Sequence, residues 1–389
     1  MKPHHLNSRR TFIKNVGLSV GASMIALPLI GDTHETTALT RQNQPLTAPP
    51  IDKKGKLGIA LVGLGQYSTH QLAPALEQTK NVYLAGIVTG TASKKKAWQK
   101  RYNLPEKNCY NYENFDEIVN NKDIDIVYVV LPNSMHAEFT IRAAKAKKHV
   151  ICEKPMATTV ADAKKMLEAC RENNVLLAIG YRLHYEPFHQ HVMDLGQNKK
   201  FGNIQSLKAA NGTDNTEESV DMWRLDRERA GGGSLMDMGI YCIQGICYSI
   251  GKNPVAVSAE YIANEHPTVF HDIEQGIRWK MYFDDGVIGE CETSYAKDQS
   301  ELSGKAKNGW WKLDPSYGYD GKKGTTSEGP MQFPEVYEQV YQMDAQAAAF
   351  REGKTPKTSG EMGLRDMFII EAIYESANGG GKKVTVKYE

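Results

Sequence analysis

At 389 residues the chain is too long for one ordinary hydrophobic core, and two domains are expected. Its 41% hydrophobic and 24% charged content is that of an ordinary soluble globular protein, and a formal net charge of +1 supplies no field to draw in nucleic acid or an anionic membrane. There is no zinc-spaced Cys/His set and no basic run interleaved with aromatics, so neither a metal site nor a nucleic-acid role is expected.

The chain opens with Ser8-Arg9-Arg10-Thr11-Phe12-Ile13-Lys14 and then a weakly apolar run, Val16 to Ile30, too short to span a bilayer comfortably. Paired arginines with Phe12 two positions on match the signal read by the twin-arginine export machinery, which implies a periplasmic protein exported in folded form. A chance arginine pair ahead of a buried helix is the alternative. Residues 1–30 are read as this signal, and 31–56, polar with Pro45, Pro49 and Pro50, as an extended arm or linker. The six cysteines show no paired spacing and are expected to be free, mostly buried thiols.

From Leu57 onward strand and helix alternate. Strands are predicted over 57–62, 82–88, 124–131, 149–152 and 175–179, with helices from the turn at Gly63 to about 79 and over 92–102, 135–147 and 160–173. Continuous apolar strands alternating with amphipathic helices argue for a parallel sheet covered on both faces. Beyond Gly180 the pattern changes to alternating strands over 204–210, 255–262, 273–283 and 287–296, the last two joined by the hairpin signal Asp284-Asp285-Gly286. Two late helices, 340–352 and 363–377, precede a final strand near 383–388. The expected fold is α/β: a Rossmann dinucleotide-binding domain over 57–180, then an α/β domain over 181–389 with an open, mostly antiparallel sheet.

The turn Gly63-Leu64-Gly65-Gln66-Tyr67-Ser68 stands between a strand and a helix, the context a dinucleotide needs for close backbone approach and a pyrophosphate on a helix N-terminus. Ser68 occupies the third glycine position and is small enough for close packing. After the second strand there is no Asp or Glu for a ribose 2′-hydroxyl. Thr89-Gly90-Thr91-Ala92-Ser93-Lys94-Lys95-Lys96 stands there instead, hydroxyls and ammonium groups that suit a 2′-phosphate and hence NADP. A solvated helix face is the alternative for the lysines. Leu131-Pro132-Asn133 and Glu153-Lys154-Pro155 each follow a sheet strand, where ligands bind in open α/β sheets. Lys154 beside a sugar is placed to take part in deprotonating a hydroxyl or to act on Tyr241; an exposed strand-end lysine is the alternative. In Gly231-Gly232-Gly233-Ser234-Leu235-Met236-Asp237-Met238-Gly239-Ile240-Tyr241, a helix from Ser234 puts Asp237 and Tyr241 on one face, and the glycines admit close approach of backbone or substrate. A buried helix with Tyr241 bonded to Asp237 is the bland reading of the same stretch.

The segments GLGQYS, LPNSMHAEF, CEKPMATTVADAKKM, GYRLHYEPF, WRLDRERAGGGSLMDMGIY and SGEMGLRDMFIIEAIYESA resemble, in content and order, the glucose-fructose oxidoreductase and inositol dehydrogenase superfamily. The resemblance runs from about Gly58 to the C-terminus. It implies NADP held by Gly63, Gly65, Gln66, Tyr67, Thr89, Gly90, Lys94, Leu131, Pro132, Asn133, His136, Glu153, Lys154, Arg182, Trp223 and Arg224. It further implies Lys154, Asp237 and Tyr241 as the catalytic group on a sugar, with subunits joined as a homodimer or homotetramer through the C-terminal sheet. Tyr241, where much of the superfamily has His, resembles the glucose-fructose subgroup. Arg182 and His184 border the pocket on this reading, with a packed structural role as the alternative for His184. An aldose or polyol dehydrogenase with exchangeable cofactor, and an NAD-using glycoside hydrolase, are the competing activities. The arm at 31–56 and the stretch from Asp298 to Pro334 depart from the family pattern.

Overall fold

The computed structural model describes residues 55–219 and 222–389; residues 1–30, read from the sequence as an export signal, and most of the stretch read as an arm lie outside the described residues. The first sheet contains β1 (Leu57–Val62), β2 (Val82–Val88), β3 (Cys109–Tyr110), β4 (Ile126–Val129), β5 (His149–Cys152) and β6 (Leu177–Ile179). It is wholly parallel in the order β3-β2-β1-β4-β5-β6. This is the doubly wound arrangement, with a reversal of strand order beside β1 that opens a crevice at the carboxyl ends. Every residue of β2 and β4 is buried, as continuous apolar strands require when helices cover both faces.

Those helices are α1, a π-helical turn Ser68–Leu72 continuing as Ala73–Leu76, then α2 (Ala92–Tyr102), α3 (His136–Lys145) and α4 (Val160–Glu172). Thr159 caps α4 by accepting from Asp162 N at 3.1 Å. Next come α5 (Pro187–Gln197), α6 (Arg227–Ala230) and α7 (Ile240–Ile250), the last entered through a π-helical turn, Leu235–Gly239. Near the C-terminus are α8 (Glu338–Arg351) and α9 (Gly360–Asn378). Helix α8 returns to the first sheet, where its Met343, Ala347 and Phe350 join the cluster of Ile59, Leu61 and Ile87. Asp344 fixes that return by accepting from Asn81 N at 2.7 Å and Lys80 N at 2.9 Å.

The second sheet comprises β7 (Ile204–Gly212), β8 (Ala256–Tyr261), β9 (Gly276–Tyr282), β10 (Ile288–Ser294), β11 (Gln299–Ala306), β12 (Gly309–Leu313), β13 (Gly324–Thr326), β14 (Gly329–Met331) and β15 (Val384–Thr385). Its order is β14-β13-β12-β11-β7-β10-β9-β8-β15, antiparallel except where β10 pairs with β7. The four strands β11 to β14 are not predicted by the sequence pattern. They fall in the Gly-, Lys- and Tyr-rich stretch, and their polar outer faces hide the alternation that marks β9 and β10. One continuous hydrophobic cluster joins the sheets, running from Val62 and Val129 through Met156, Ile179 and Ile240 to Ile277 and Trp279.

The three glycines before Leu235 make room for the protein itself, not for substrate. A Cβ on Gly233 would lie 2.2 Å from Glu274 O, and one on Gly232 would lie 2.1 Å from Tyr374 Oη. The Glu274 carboxylate fills the space and caps the helix entrance. It accepts from Gly233 N and Leu235 N, both at 2.9 Å, and from Tyr374 Oη at 2.9 Å. Gly233→Ala should therefore cost about 2–4 kcal/mol, because the clash is with backbone that cannot swing away. A urea midpoint lowered relative to wild type, with unchanged slope, is the expected result; an unchanged midpoint would show that the glycine is dispensable.

Candidate active site

β1 delivers the chain to Gly63, whose φ of +93° is costly for any other residue and where a Cβ would lie only 2.3 Å from Val130 O. Ser68 explains the incomplete glycine pattern: it is fully buried, and its hydroxyl donates to Gly63 O at 2.5 Å, locking the turn onto α1. Gly65, by contrast, faces open space, with nothing within 4 Å of its Cβ position. The first-turn N–H groups of α1, from exposed Gln66 onward, point from a helix N-terminus toward the crevice, so the turn fits a pyrophosphate.

At the end of β2 the loop also fits a phosphate. Thr89 is buried and its hydroxyl accepts from Thr91 N at 3.2 Å. Gly90 lies so close to the Tyr112 ring that a Cβ would sit at 3.0 Å. Lys94 Nζ donates to Leu64 O at 3.1 Å, tying this loop to the glycine turn, whereas Lys95 is paired with Glu106 at 2.9 Å. The cationic group available beside the turn is thus Lys94.

Leu131, Pro132 and Asn133 stand at the crevice, but the side chains of Asn133 and His136 brace the protein. Asn133 Nδ2 donates to Ala230 O at 2.8 Å. His136, fully buried, lies with Nε2 2.9 Å from Leu131 O and Nδ1 2.8 Å from Pro155 O, clamping two strand-end loops together. Glu153 is likewise turned inward, accepting from Tyr128 Oη at 2.6 Å, and burial raises its carboxyl above the ordinary value.

Lys154, Asp237 and Tyr241 do come together, in an arrangement the sequence does not predict. No hydrogen bond joins Asp237 to Tyr241 among the described residues. The Lys154 ammonium stands between them, 2.9 Å from Asp237 Oδ1, 2.7 Å from Asp237 O and 4.8 Å from the centroid of the Tyr241 ring. Asp237 Oδ2 accepts from Tyr295 Oη at 3.2 Å and lies 3.3 Å from Arg224 Nε. The turn that carries Asp237 into α7 is π-helical, and from it Asp237 reaches Lys154 and Arg224. Burial alone would raise the Asp237 carboxyl, but Lys154 and Arg224 outweigh it and hold the group well below the usual carboxylate range. Burial would lower the Lys154 ammonium, and Asp237 reverses that. The charged form of Lys154 is thus favoured by its partner, which suits an electrostatic role beside Tyr241.

Arg182 sits on the other side of Tyr241, its guanidinium carbon 5.4 Å from that ring and 4.3 Å from the ring of Tyr319. It is buried, paired with Glu338, and donates to Tyr317 O at 2.5 Å and Gly318 O at 3.3 Å. Tyr319 in turn lies 6.2 Å from Tyr67 of the glycine turn, and Trp223 stacks under Arg224 at 4.5 Å. Rings and cations therefore alternate across the crevice from Tyr67 to Trp223. Sequence reasoning misses Tyr319, Tyr317, Tyr295 and Glu338, because each comes from a stretch with no motif of its own. His184 is packed: Nε2 lies 2.6 Å from Gln244 Oε1, and burial pushes the ring down to about 3.

Comparison with known proteins agrees with this geometry. Residues 57–181 match the oxidoreductase family with an NAD-binding Rossmann fold, and 189–326 match the GFO/IDH/MocA C-terminal domain. The D-xylose 1-dehydrogenase [NADP(+)] of Haloarcula marismortui is 28% identical over 345 residues, 86% of this chain and 93% of its own length. The aldose-aldose oxidoreductase of Caulobacter crescentus, solved with glycerol, is 36% identical with a TM-score of 0.82, covering 85% of this chain and 99% of that one. The 3-ketoreductase KijD10 of Actinomadura kijaniata, solved with NADP and TDP-benzene, shares the fold at 22% identity and a TM-score of 0.72, covering 82% and 98%.

Two buried histidines behind the site predict its acid sensitivity. Burial pushes His184 and His189 each down to about 3, and His189 is satisfied as a neutral ring by Tyr248 Oη and by Ser316 O at 3.0 Å. The unfolded chain protonates both near the ordinary value of about 6.5. Their stabilising effect is complete above that pH and declines below it, by up to about 1.4 kcal/mol per pH unit for each ring. Urea midpoints from neutral pH down toward pH 4 should fall accordingly, and His189→Gln should flatten the decline. An equal slope in wild type and variant would remove His189 from the explanation.

Proposed function

The chain belongs to the GFO/IDH/MocA oxidoreductase family, and on that premise we propose that it moves hydride between the anomeric carbon of an aldose and NADP, in the periplasm. It is an NADP-dependent oxidoreductase acting on sugar CH–OH groups. The observation that carries the finer reading is the Tyr241 ring held between two buried cations, Lys154 and Arg182, at the mouth of a dinucleotide crevice. The Tyr241 hydroxyl makes no hydrogen bond among the described residues, so it is available to a substrate oxygen.

NADP, when bound, supplies the hydride acceptor and donor at its nicotinamide ring. The glycine turn and the first turn of α1 would hold the pyrophosphate, and Thr89, Gly90 and Lys94 the 2′-phosphate. Tyr241 takes the hydroxyl proton as the sugar is oxidised and returns it as a second sugar is reduced. Lys154 stabilises the negative charge on the phenol oxygen while the proton is away. Asp237 keeps Lys154 in place and charged, and Tyr295 and Arg224 hold the second carboxylate oxygen. The likeness to an aldose-aldose oxidoreductase supports a cycle in which one aldose is oxidised and another reduced. Export through the Arg9-Arg10 signal supports the same reading, since a retained cofactor regenerated by a second sugar needs no external nicotinamide supply. The outer face of the second sheet carries Lys280–Glu290 and Lys312–Glu301 pairs beside exposed Trp310, which supports assembly through that sheet.

The test is to release nucleotide from the purified protein, identify it by mass, and screen aldose pairs for exchange of hydride. NADP(H) and exchange are expected; a protein that carries no nucleotide and exchanges none sinks the two-sugar cycle. Tyr241→Phe should lower kcat by about 10²–10⁴-fold while leaving nucleotide binding intact. Full turnover in that variant would remove the phenol from the mechanism. Lys94→Glu should weaken NADP binding about 10–100-fold relative to NAD, because it sets a carboxylate beside the 2′-phosphate. Unchanged preference would place that phosphate elsewhere.

A further inference from the structure

A second cavity, of 660 Å³, opens on the far side of the wall behind Tyr241, between α5, the end of α7 and the start of α9. His184 and Tyr248 line both this cavity and the small apolar hollow that contains Tyr241 and Lys154, so the two spaces stand back to back. The volume lies within the range of small-ligand sites. Its lining includes the amides of Gln190, Gln197, Asn198 and Asn253. The NH2 groups of the first three donate to His184 O, Tyr248 O and Asp194 Oδ1, and their amide oxygens suit a ligand that donates from several hydroxyls.

The charges of the lining nearly cancel, with one exception. Asp194 is paired with Lys200 at 2.8 Å, Lys252 with Asp284 and Asp285, and Arg365 with Asp366 at 2.6 Å. Lys357 has no carboxylate partner among the described residues; its Nζ donates to the carbonyl of His184 at 2.8 Å. One uncompensated cation among amides suits a polyhydroxylated monoanion.

We propose that this cavity binds an aldonate, the carboxylate form of an oxidised aldose, with Lys357 on its carboxylate and the amides on its hydroxyls. The inference rests on the proposed reaction: oxidation at the anomeric carbon yields a lactone, and water opening its ring C–O bond leaves an aldonate with no further oxidant. The reaction's own end product would then act on the enzyme from behind. Lys357 shares the His184 carbonyl, in the turn Arg182–Tyr185, with Gln190, which donates to it at 3.1 Å, so a ligand that draws on both residues acts on the turn that carries Arg182.

Calorimetric titration of D-gluconate into the full-length protein, preloaded with its aldose substrate, tests this directly. Binding is expected to persist at saturating aldose, to weaken at least about tenfold in Lys357→Met, and to be at least about tenfold weaker for sorbitol, which has the hydroxyls without the charge. Asn253→Leu, which narrows the cavity without touching Lys357, should give a comparable loss. Gluconate displaced by aldose, bound equally by Lys357→Met, or not bound at all overturns the proposal. Glucose 6-phosphate binding more tightly than gluconate also overturns it, since a dianion site would then be at work. Turnover is not needed for the readout: Lys357-dependent gluconate binding in a protein that exchanges no hydride keeps the cavity and discards the reaction, and the reverse outcome does the opposite.

Discussion

An ammonium ion that is mostly removed from water must find a counter-charge, and in this protein Lys154 finds it across the gap between the two sheets. Lys154 follows β5 of the parallel sheet, and Asp237 belongs to the helical turn that leads into α7. Their contact ties the end of β5 to the entrance of α7, the helix that carries Tyr241. Removing either partner would strand a charge, so the pair is far more costly to break than to keep. Three neighbours of Asp237 reinforce this: Lys154, Arg224 and Tyr295 each take part of the carboxylate, which leaves it little freedom to rotate.

Much of the first sheet is legible in the sequence because its strands are buried on both faces and read as unbroken apolar runs. The bounds of β1, β2 and β5 fall where the sequence puts them. The glycine turn is equally readable, since Gly63 needs a positive φ and Ser68 needs only to be small. The placing of Asp237 is not, because its partners Lys154, Arg224 and Tyr295 come from distant stretches of the chain. Nor does anything in Leu235–Gly239 announce Glu274, 39 residues beyond Leu235, as the cap of the entrance. The triple glycine reads as room for backbone or substrate, and it is the protein, through Glu274 and Tyr374, that occupies the space.

Tyr319 and Arg182 show a different limit. Sequence marks a residue by its neighbours in the chain, whereas these two matter through contacts with Tyr67, Tyr241 and Glu338 that lie far away in sequence. Arginine is required there over lysine, because a planar guanidinium can lie between two rings while donating to the Tyr317 and Gly318 carbonyls and to Glu338. The loop carrying Tyr317 and Tyr319 is thereby held against the crevice by the same cation that faces the Tyr241 ring.

These contacts also bear on what the crevice can accept. A helix entrance is ordinarily a place for a ligand anion, but Glu274 already fills it. Arg182 is paired with Glu338, and Lys154 and Arg224 with Asp237. Two cations share the one carboxylate of Asp237, so the group keeps a net positive charge beside the Tyr241 ring. That charge favours a proton leaving the phenol, and it is held in place by the carboxylate and not by the substrate, so a neutral sugar meets it ready-made.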